Sequence, residues 1–299
     1  MVADPHILHM VTPLKHMSPF DVNMALDAGY DAAIPYTQVT LAETQGLVQD
    51  AIFSRAPHMG VRTGLFIAGK NATLALDMLQ TARESLVPPF ELSIFADPAG
   101  SFTTAAAMVA VVEKVLAKEF SRDWMGTSVA IFGATGVVGF SAAVIAALEG
   151  ASVTLVGHDG VTRVQAAADE IAARFGVKVL AADGSSEERK AAIASETEVV
   201  FSAAAAGVQV LSADMVRASD DLLVAADVNA VPPAGIEGLG IADNGVPIDG
   251  TNVLGVGPLA IGDIKYKTQA GLFRRMIEAE AVVAFDFRDA FALARTLVA

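Results

Sequence analysis

The sequence contains no cysteine among its 299 residues, and it is poor in aromatic side chains (6%), charged side chains (18%) and, above all, cations. Without cysteine the chain has no disulfides, no thiolate metal site and no cysteine nucleophile. Lysine and arginine total 20 against 34 aspartates and glutamates, a net charge of −14. Nucleic acids and anionic membranes attract clustered cations, so neither is an expected partner.

Hydrophobic residues make up 53% of the chain, which excludes a disordered protein and indicates a large core. Two alanine- and valine-rich stretches, Thr103–Leu116 and Val137–Leu148, are the most apolar. Both are shorter than the roughly 20 residues of a membrane span, so they are interpreted as buried helices. The stretch Met1–Pro19 lacks the apolar region of a signal peptide, and we expect a cytoplasmic protein.

Strand and helix signals alternate along the chain, which predicts an α/β fold of two domains. Residues 121–267 are expected to form a Rossmann-type dinucleotide-binding domain with a parallel sheet. Residues 1–120 and 268–299 are expected to form an α/β substrate domain. The region Asn229–Gly262 shows no long periodic segment, and Thr268–Ala299 is predicted to be helical.

The strongest motif is a glycine-rich turn, Gly133-Ala134-Thr135-Gly136-Val137-Val138-Gly139, between a strand over Ser128–Phe132 and a helix. Pyrophosphate binds backbone N–H groups at such a helix N-terminus, where side chains would block its approach. Alanine 134 stands where the common GxGxxG pattern has a glycine, and a purely structural turn is the alternative. The candidate cofactor-binding residues of this turn are Gly133, Thr135, Gly136, Val137 and Val138.

A second candidate region follows the next strand, at His158 and Asp159. A carboxylate here would hold the adenosine ribose and repel a 2′-phosphate. Alternatively, Asp159 caps the helix from Val161. His158 could face the adenine or a 2′-phosphate. Arg163 is a nearby cation, and it weakens any exclusion of a 2′-phosphate.

Three further strand ends carry candidate residues, because ligands of open α/β sheets lie beyond the carboxyl ends of the strands. The loop from Asp97 to Thr104 is either the edge of a pocket or a helix cap made by Ser101. The loop from Asp227 to Gly235, with Asn229, is expected near the nicotinamide of a bound cofactor, with a rigid proline turn as the alternative. Ala203 ends the strand between these regions and is a further cofactor candidate.

No metal site is expected. His6 and His9 fall on opposite faces of a strand, and the chain has no HExxH pair.

Taken together, several of these segments identify a family. The sequence resembles the NAD(P)-dependent methylene-tetrahydromethanopterin dehydrogenases of methylotrophic bacteria, relatives of the methylene-tetrahydrofolate dehydrogenases of the same organisms. The resemblance covers nearly the whole chain. It depends on the glycine turn and on four further segments: 14–21, 97–104, 226–233 and 260–265.

The resemblance implies hydride transfer from the methylene carbon of the pterin to NAD(P) in one-carbon metabolism, with the pterin in a cleft between the domains. It implies that Lys265 and Asp21 are catalytic and that Phe20, Asp97, Ser101 and Thr103 also bind substrate. Because the strictly NADP-dependent branch has arginine where His158 stands, NAD is favoured and NADP remains possible. It also implies a homo-oligomer, a trimer or hexamer.

Three alternatives remain at this stage. One is a methylene-tetrahydrofolate dehydrogenase. Another is a shikimate-type dehydrogenase, which would need a proton-transfer pair such as Lys70 and Asp97. The third is a dinucleotide-binding sensor without enzymatic activity.

Overall fold

The computed structural model describes residues 4–298 and divides the chain into two compact units. The first comprises the residues up to Thr103 together with Tyr266–Leu293, and the second comprises Thr104–Lys265 and the residues from Ala294 onwards. The sequence placed the boundaries at 120/121 and 267/268 instead, and its residues 1–3 and 299 lie outside the described part. The largest difference arises because one continuous helix crosses the first boundary and contributes to both units.

The amino-terminal part alternates short strands with helices, as predicted. The first helix begins with Pro19 at its first position and ends at Gly29, whose φ of 117° suits glycine. The second helix begins with a capping box formed by Thr40 and Glu43. The elements are β1 (Ile7–Thr12), α1 (Pro19–Ala28), β2 (Ala32–Thr37), α2 (Leu41–Phe53), β3 (Thr63–Ile67), α3 (Ala72–Glu84), β4 (Ser93–Ala96) and α4 (Ser101–Phe120).

The central part continues the alternation and confirms the predicted strand over Ser128–Phe132 and the helix after the glycine turn. Its parallel strands are short and largely buried, which explains why they lack a clear alternation of polar and apolar residues. The elements are β5 (Ser128–Phe132), α5 (Val137–Leu148), β6 (Ser152–Gly157), α6 (Thr162–Phe175), β7 (Leu180–Asp183), α7 (Glu187–Ser195), β8 (Val199–Ser202), α8 (Ala213–Arg217) and β9 (Val224–Asp227).

The carboxyl-terminal part corrects two predictions. The region Asn229–Gly262 contains strands β10 (Asn244–Pro247) and β11 (Leu254–Val256), which are too short to show a period. The predicted helix over 268–299 is two helices, α9 (Pro258–Glu278) and α10 (Phe287–Val298), separated by β12 (Ala284–Phe285). The Asp289 carboxylate accepts a hydrogen bond from the Asp286 N–H at 2.9 Å. This hydrogen bond caps the N-terminus of α10, so α10 begins as a separate helix.

Each unit is built on its own sheet within the described residues. The first sheet has the strand order β12-β4-β3-β1-β2, and its neighbouring strands are parallel. The second has the order β10-β11-β9-β8-β5-β6-β7, and only β10 runs antiparallel to its neighbour. The predicted α/β class with parallel sheets is confirmed. The carboxyl ends of β1, β3 and β4 share one edge, as do those of β5, β6 and β8, and ligands bind at such edges.

Helix α4 has the most apolar long sequence of the described residues. The stretch Pro98–Phe120 has the length and composition of a membrane span, but 72% of its most apolar window is buried inside the structure. Alanines 105, 106 and 107 and Phe102 are 0% exposed. The small side chains pack α4 closely, as in the core helix of a globular domain.

Candidate functional site

The glycine turn of the second unit is held by close backbone contacts. Gly133 has a φ of +78°, and a Cβ at this position would lie 2.3 Å from the carbonyl oxygen of Ala203. A Cβ on Gly139 would lie 2.6 Å from the carbonyl oxygen of Gly133. These two glycines are therefore required by the packing of the turn itself. Gly136 is the N-cap of α5, where a Cβ would meet its nearest atom only at 3.2 Å.

A cavity of about 480 Å³ lies beside this turn, at the carboxyl ends of β5, β6 and β8. Five predicted cofactor residues line it: Gly133, Thr135, Gly136, His158 and Ala203. Its walls are largely small or apolar, and the N-terminus of α5 offers the positive end of a helix dipole. The cavity thus fits a dinucleotide whose pyrophosphate meets the backbone of the turn.

The sequence reasoning missed several residues of this cavity. They are Phe132, Val156, Gly184, Lys190, Ala204, Ala205, Val208, Gln209 and Val210. One signal was available, because Gly184 directly follows β7 at the same sheet edge. A Cβ on Gly184 would lie 2.4 Å from Val156 Cγ1. Val137, Val138, Asp159, Arg163, Asp227 and Asn229 do not line this cavity.

The carboxylate of Asp159 is paired instead of capping a helix. Its Oδ2 lies 3.4 Å from Arg163 Nη1, and its Oδ1 lies 4.0 Å from His158 Nδ1. Helix α6 has Val161 at its N-cap and no side-chain capping bond, so the helix-cap alternative for Asp159 is wrong. Arg163 Nη2 also lies 3.4 Å from Thr135 Oγ1, which joins this group to the glycine turn.

Asp227 and Asn229 hold their own loop. The buried Asp227 carboxylate accepts hydrogen bonds from the N–H groups of Asn229 at 3.0 Å and Gly235 at 2.7 Å. The Asn229 side chain donates to Pro233 O at 3.2 Å and accepts from Val231 N at 2.9 Å. Burial raises the pKa of the Asp227 carboxyl, although these hydrogen bonds lower it. The geometry supports the rigid-turn alternative, and contact with a nicotinamide stays a prediction.

Asp97 makes the helix cap that the sequence offered to Ser101 as the alternative to a pocket edge. Its Oδ1 accepts from the N–H groups of Phe102 at 2.9 Å and Thr103 at 3.2 Å, and its Oδ2 accepts from Thr103 Oγ1 at 2.6 Å. Asp97 and Thr103 are both 0% exposed. A carboxylate at the N-terminus of a 20-residue helix is favoured by the helix dipole. Ser101, at the first position of α4, is half-buried.

The first unit has its own cavity, of about 450 Å³, at the carboxyl ends of β1 and β3. It contains Asp21, whose Oδ1 accepts from Gln269 Nε2 at 2.9 Å, and Asp21 is 1% exposed. The neighbouring Phe20 is 45% exposed. The lining residues are Thr12, Leu14, Lys15, His16, Met17, Ser18, Pro19, Asp21, Ala68, Gly69, Lys70 and Ala99.

The other predicted substrate residues lie apart from this lining. Phe20, Asp97, Ser101 and Thr103 do not line it, although Ala99 of the same loop does. Lys265 is half-buried in α9, one residue before the chain passes from the second unit to the first. The structure of either unit alone does not test whether these residues contact the substrate. Their substrate contacts stay predictions.

A largely parallel sheet that carries this glycine turn, joined along the chain to a second parallel α/β unit, defines the class of two-domain α/β proteins with a dinucleotide-binding turn. Residues 19–99 match the family model described as methylene-tetrahydromethanopterin dehydrogenase, N-terminal. The chain is also 54% identical over 288 residues to the NAD(P)-dependent methylenetetrahydromethanopterin dehydrogenase of Methylorubrum extorquens, covering 96% of this chain and 97% of that protein. The chain therefore belongs to the methylene-tetrahydromethanopterin dehydrogenase family, which confirms the predicted membership.

Further comparisons give one more relative of similar length and show the fold. The bifunctional protein MdtA of the same organism is 31% identical over 280 residues, 94% of each chain. Two solved structures share the fold at low sequence identity. Shikimate 5-dehydrogenase of Listeria monocytogenes has a TM-score of 0.55 at 16% identity, covering 92% of each chain. Quinate dehydrogenase of Corynebacterium glutamicum has a TM-score of 0.56 at 15% identity, covering 97% of this chain and 98% of that one.

Proposed function

We propose that this protein oxidises methylene-tetrahydromethanopterin to the methenyl form with NAD or NADP, in one-carbon metabolism. The observation that carries this proposal is the 54% identity, over nearly the full length of both chains, to a dehydrogenase of that named activity. The dinucleotide-sized cavity beside the glycine turn supports the cofactor half of the reaction. The other cavity, with Asp21, supports a substrate role for the first unit.

On the cofactor side, the backbone at Gly136 and the first turn of α5 would bind the pyrophosphate. His158, Asp159 and Arg163 would face the adenosine ribose. Because Arg163 already pairs with Asp159, the carboxylate repels a 2′-phosphate less than a free one would. This pairing supports the use of both NAD and NADP. When bound, the nicotinamide supplies the two-electron acceptor.

On the substrate side, Phe20 offers an exposed aromatic face and Asp21 a buried carboxylate on the same helix turn. Asp21 would stabilise positive charge that develops on the pterin, and Lys265 would anchor or polarise it. Ser101 is a half-buried polar side chain at the start of α4. Asp97 forms hydrogen bonds with the Thr103 side chain and with the first turn of α4. We therefore propose that Asp97 and Thr103 act by positioning this turn.

The reaction itself requires little acid–base chemistry from the protein. Two nitrogen atoms flank the methylene carbon, and their lone pairs stabilise the cation that remains after oxidation. No proton moves in that step, so orientation of two rings supplies much of the acceleration. This agrees with the absence of a recognisable acid–base pair in the sequence.

The competing dehydrogenase chemistry is less well supported. A shikimate-type mechanism would use Lys70 and Asp97 as a proton-transfer pair. Asp97 is 0% exposed, and both of its oxygens accept hydrogen bonds from the first turn of α4. Lys70 lines the first unit's cavity, whereas Asp97 does not.

The test is a reduction assay with NAD and with NADP on three substrates: methylene-tetrahydromethanopterin, methylene-tetrahydrofolate and shikimate. We expect the first to give the highest kcat/KM, measured as NADH or NADPH formation. A higher kcat/KM with methylene-tetrahydrofolate would move the assignment to the folate enzymes. Oxidation of shikimate would support a shikimate-type dehydrogenase. Cofactor binding without turnover of any substrate would indicate a sensor. A cytoplasmic location and a trimeric or hexameric state stay predictions.

A further inference from the structure

The cavity of the first unit collects basic side chains in a protein that has few of them. Lys15 and His16 follow β1, and Lys70 follows β3, so the parallel arrangement of these strands brings all three to one edge of the sheet. The chain as a whole carries a net charge of −14. The basic side chains at this edge therefore form a locally positive region in an acidic chain.

The two lysines have no compensating partner in the described range 4–298. Neither Lys15 nor Lys70 makes a hydrogen bond or an ion pair there, and both are exposed. Two other lysines are paired, Lys118 with Glu119 and Lys190 with Glu187, each at 2.6 Å, whereas within the described residues Lys178 is not. An unpaired cation keeps its full attraction for a ligand of opposite charge.

The acidic residue in the lining does not cancel this charge. Asp21 is 1% exposed, and its Oδ1 is occupied by the Gln269 amide at 2.9 Å. The two lysines thus leave one net positive charge along the wall. An incoming group meets the lysines in solvent and the carboxylate only behind the surface.

The backbone adds a contribution of the same sign. Ser18 and Pro19, at the N-terminus of the ten-residue helix α1, line the cavity. The Ser18 side chain makes no capping bond to the helix. The positive end of the α1 dipole therefore faces the same space as the lysines.

We propose that the outer, lysine-lined part of this cavity binds an anionic group, a carboxylate or a phosphate, carried by the pterin substrate, while Asp21 faces the pterin ring from behind the surface. The proposal rests on the proposed function for the identity of the substrate. Binding energy from such a remote group anchors the substrate, and it is present equally before and during the reaction. Lys15 and Lys70 are thus substrate-anchoring residues that determine KM.

The experiment compares the wild type with Lys15→Gln, Lys70→Gln and the double variant. We expect KM for methylene-tetrahydromethanopterin to rise about threefold to tenfold for each lysine, while kcat stays within about twofold. Lys70→Arg should keep KM for the pterin close to the wild-type value, because arginine retains the positive charge. KM of the wild type should rise with salt more steeply than KM of the double variant.

The matched control is Lys178→Gln. Lys178 is also an exposed lysine without a hydrogen bond or ion pair in the described range, and it lines neither of the two cavities described above. It should leave KM unchanged. Equal melting temperatures of all variants would show that the substitutions act on binding and not on folding.

Inorganic phosphate serves as the second probe, by calorimetry and as an inhibitor. We expect it to bind the wild type, to compete with the pterin and to bind the double variant at least tenfold more weakly. Suppose that the wild type binds phosphate but the double variant has an unchanged KM for the pterin. The cavity would then bind free anions and not the substrate, which would overturn the substrate-anchor proposal. A fall in kcat at constant KM, or unchanged phosphate binding, would also overturn it. If the wild type turns over no pterin, the proposed function fails, and the calorimetry still decides whether the cavity binds anions.

Discussion

The two cavities lie at equivalent edges of two parallel sheets, yet different parts of the chain build them. In the second unit the backbone defines the site, because Gly133 and Gly139 allow contacts that any Cβ would prevent. In the first unit side chains define it, with Lys15, Lys70 and Asp21 converging from two loops and a helix. A site built from backbone depends on which residues are absent from it. A site built from side chains depends on which residues meet in space.

This difference has consequences for substitution. Changes in the backbone-built site should affect folding and cofactor binding together, because the same contacts serve both. Changes in the side-chain-built site should affect substrate kinetics and leave folding intact. The following experiments test that contrast, from the largest expected effect to the smallest.

Gly133→Val should have the largest effect. The new Cβ would lie 2.3 Å from Ala203 O at a φ of +78°, a conformation that a β-branched residue rarely adopts. We expect the free energy of unfolding to fall by about 2–4 kcal/mol and dinucleotide binding to be lost, measured by urea titration and calorimetry. Gly46→Ala in α2 is the control, since a Cβ there meets nothing within 4 Å and should stabilise slightly. Normal cofactor binding by Gly133→Val would contradict the backbone-built cradle.

Lys265→Ala should lower kcat/KM for methylene-tetrahydromethanopterin by about tenfold to a hundredfold while the Kd for NAD is unchanged. The physical reason is the loss of a charged group that polarises or anchors the substrate. Steady-state kinetics and cofactor titration provide the two readings. Lys267→Ala, an exposed lysine two residues further along α9, should have little effect. An unchanged kcat/KM in Lys265→Ala would remove this lysine from the site.

Asp97→Asn should lower the free energy of unfolding by about 1–3 kcal/mol. The substitution removes a negative charge from the N-terminus of α4. It also replaces one accepting oxygen by an NH2 donor, so at least one of the buried donors, Phe102 N–H, Thr103 N–H or Thr103 Oγ1, loses its acceptor. Urea unfolding measures the change. The exposed Asp50→Asn should stay within about 0.5 kcal/mol of the wild type. A loss of kcat without a loss of stability would indicate that Asp97 contacts substrate directly.

His158→Arg should have the smallest effect, a rise of about threefold to tenfold in kcat/KM for NADP. His158 lines the cofactor cavity and its side chain is 78% exposed, so a guanidinium there can reach a 2′-phosphate. The value for NAD, measured on the same preparation, is the internal control. No change with NADP would count against placing this residue at the ribose.

Much of the second unit could be predicted because its signals are local. The turn Gly133–Gly139, the strand before it and the helix after it lie within about a dozen residues, and each has its own composition. The sheet edge beyond this turn was harder to predict. Lys190, Val208 and Gln209 line the same cavity, although they lie far along the chain from the turn.

In the first unit the secondary structure could be predicted, but the roles of the polar side chains could not. Its alternation of strands and helices was predicted, since helix caps such as Asn71 and helix starts such as Pro19 are local features. The roles of its polar residues were not. The helix cap considered for Ser101 belongs to Asp97, four residues earlier, and the pairing of Asp21 with Gln269 joins positions 248 residues apart.

By itself, the sequence determined the α/β class, the position of the dinucleotide turn and the family, because these depend on local periodicity, glycine spacing and contiguous motifs. Only the tertiary structure decided which side chains share a cavity and which ones bond one another. Lys15 and Lys70 are far apart in the chain and become neighbours of one cavity because β1 and β3 are adjacent parallel strands. Asp97 is a helix cap because the backbone turns its oxygens towards α4, an orientation that no residue type specifies on its own.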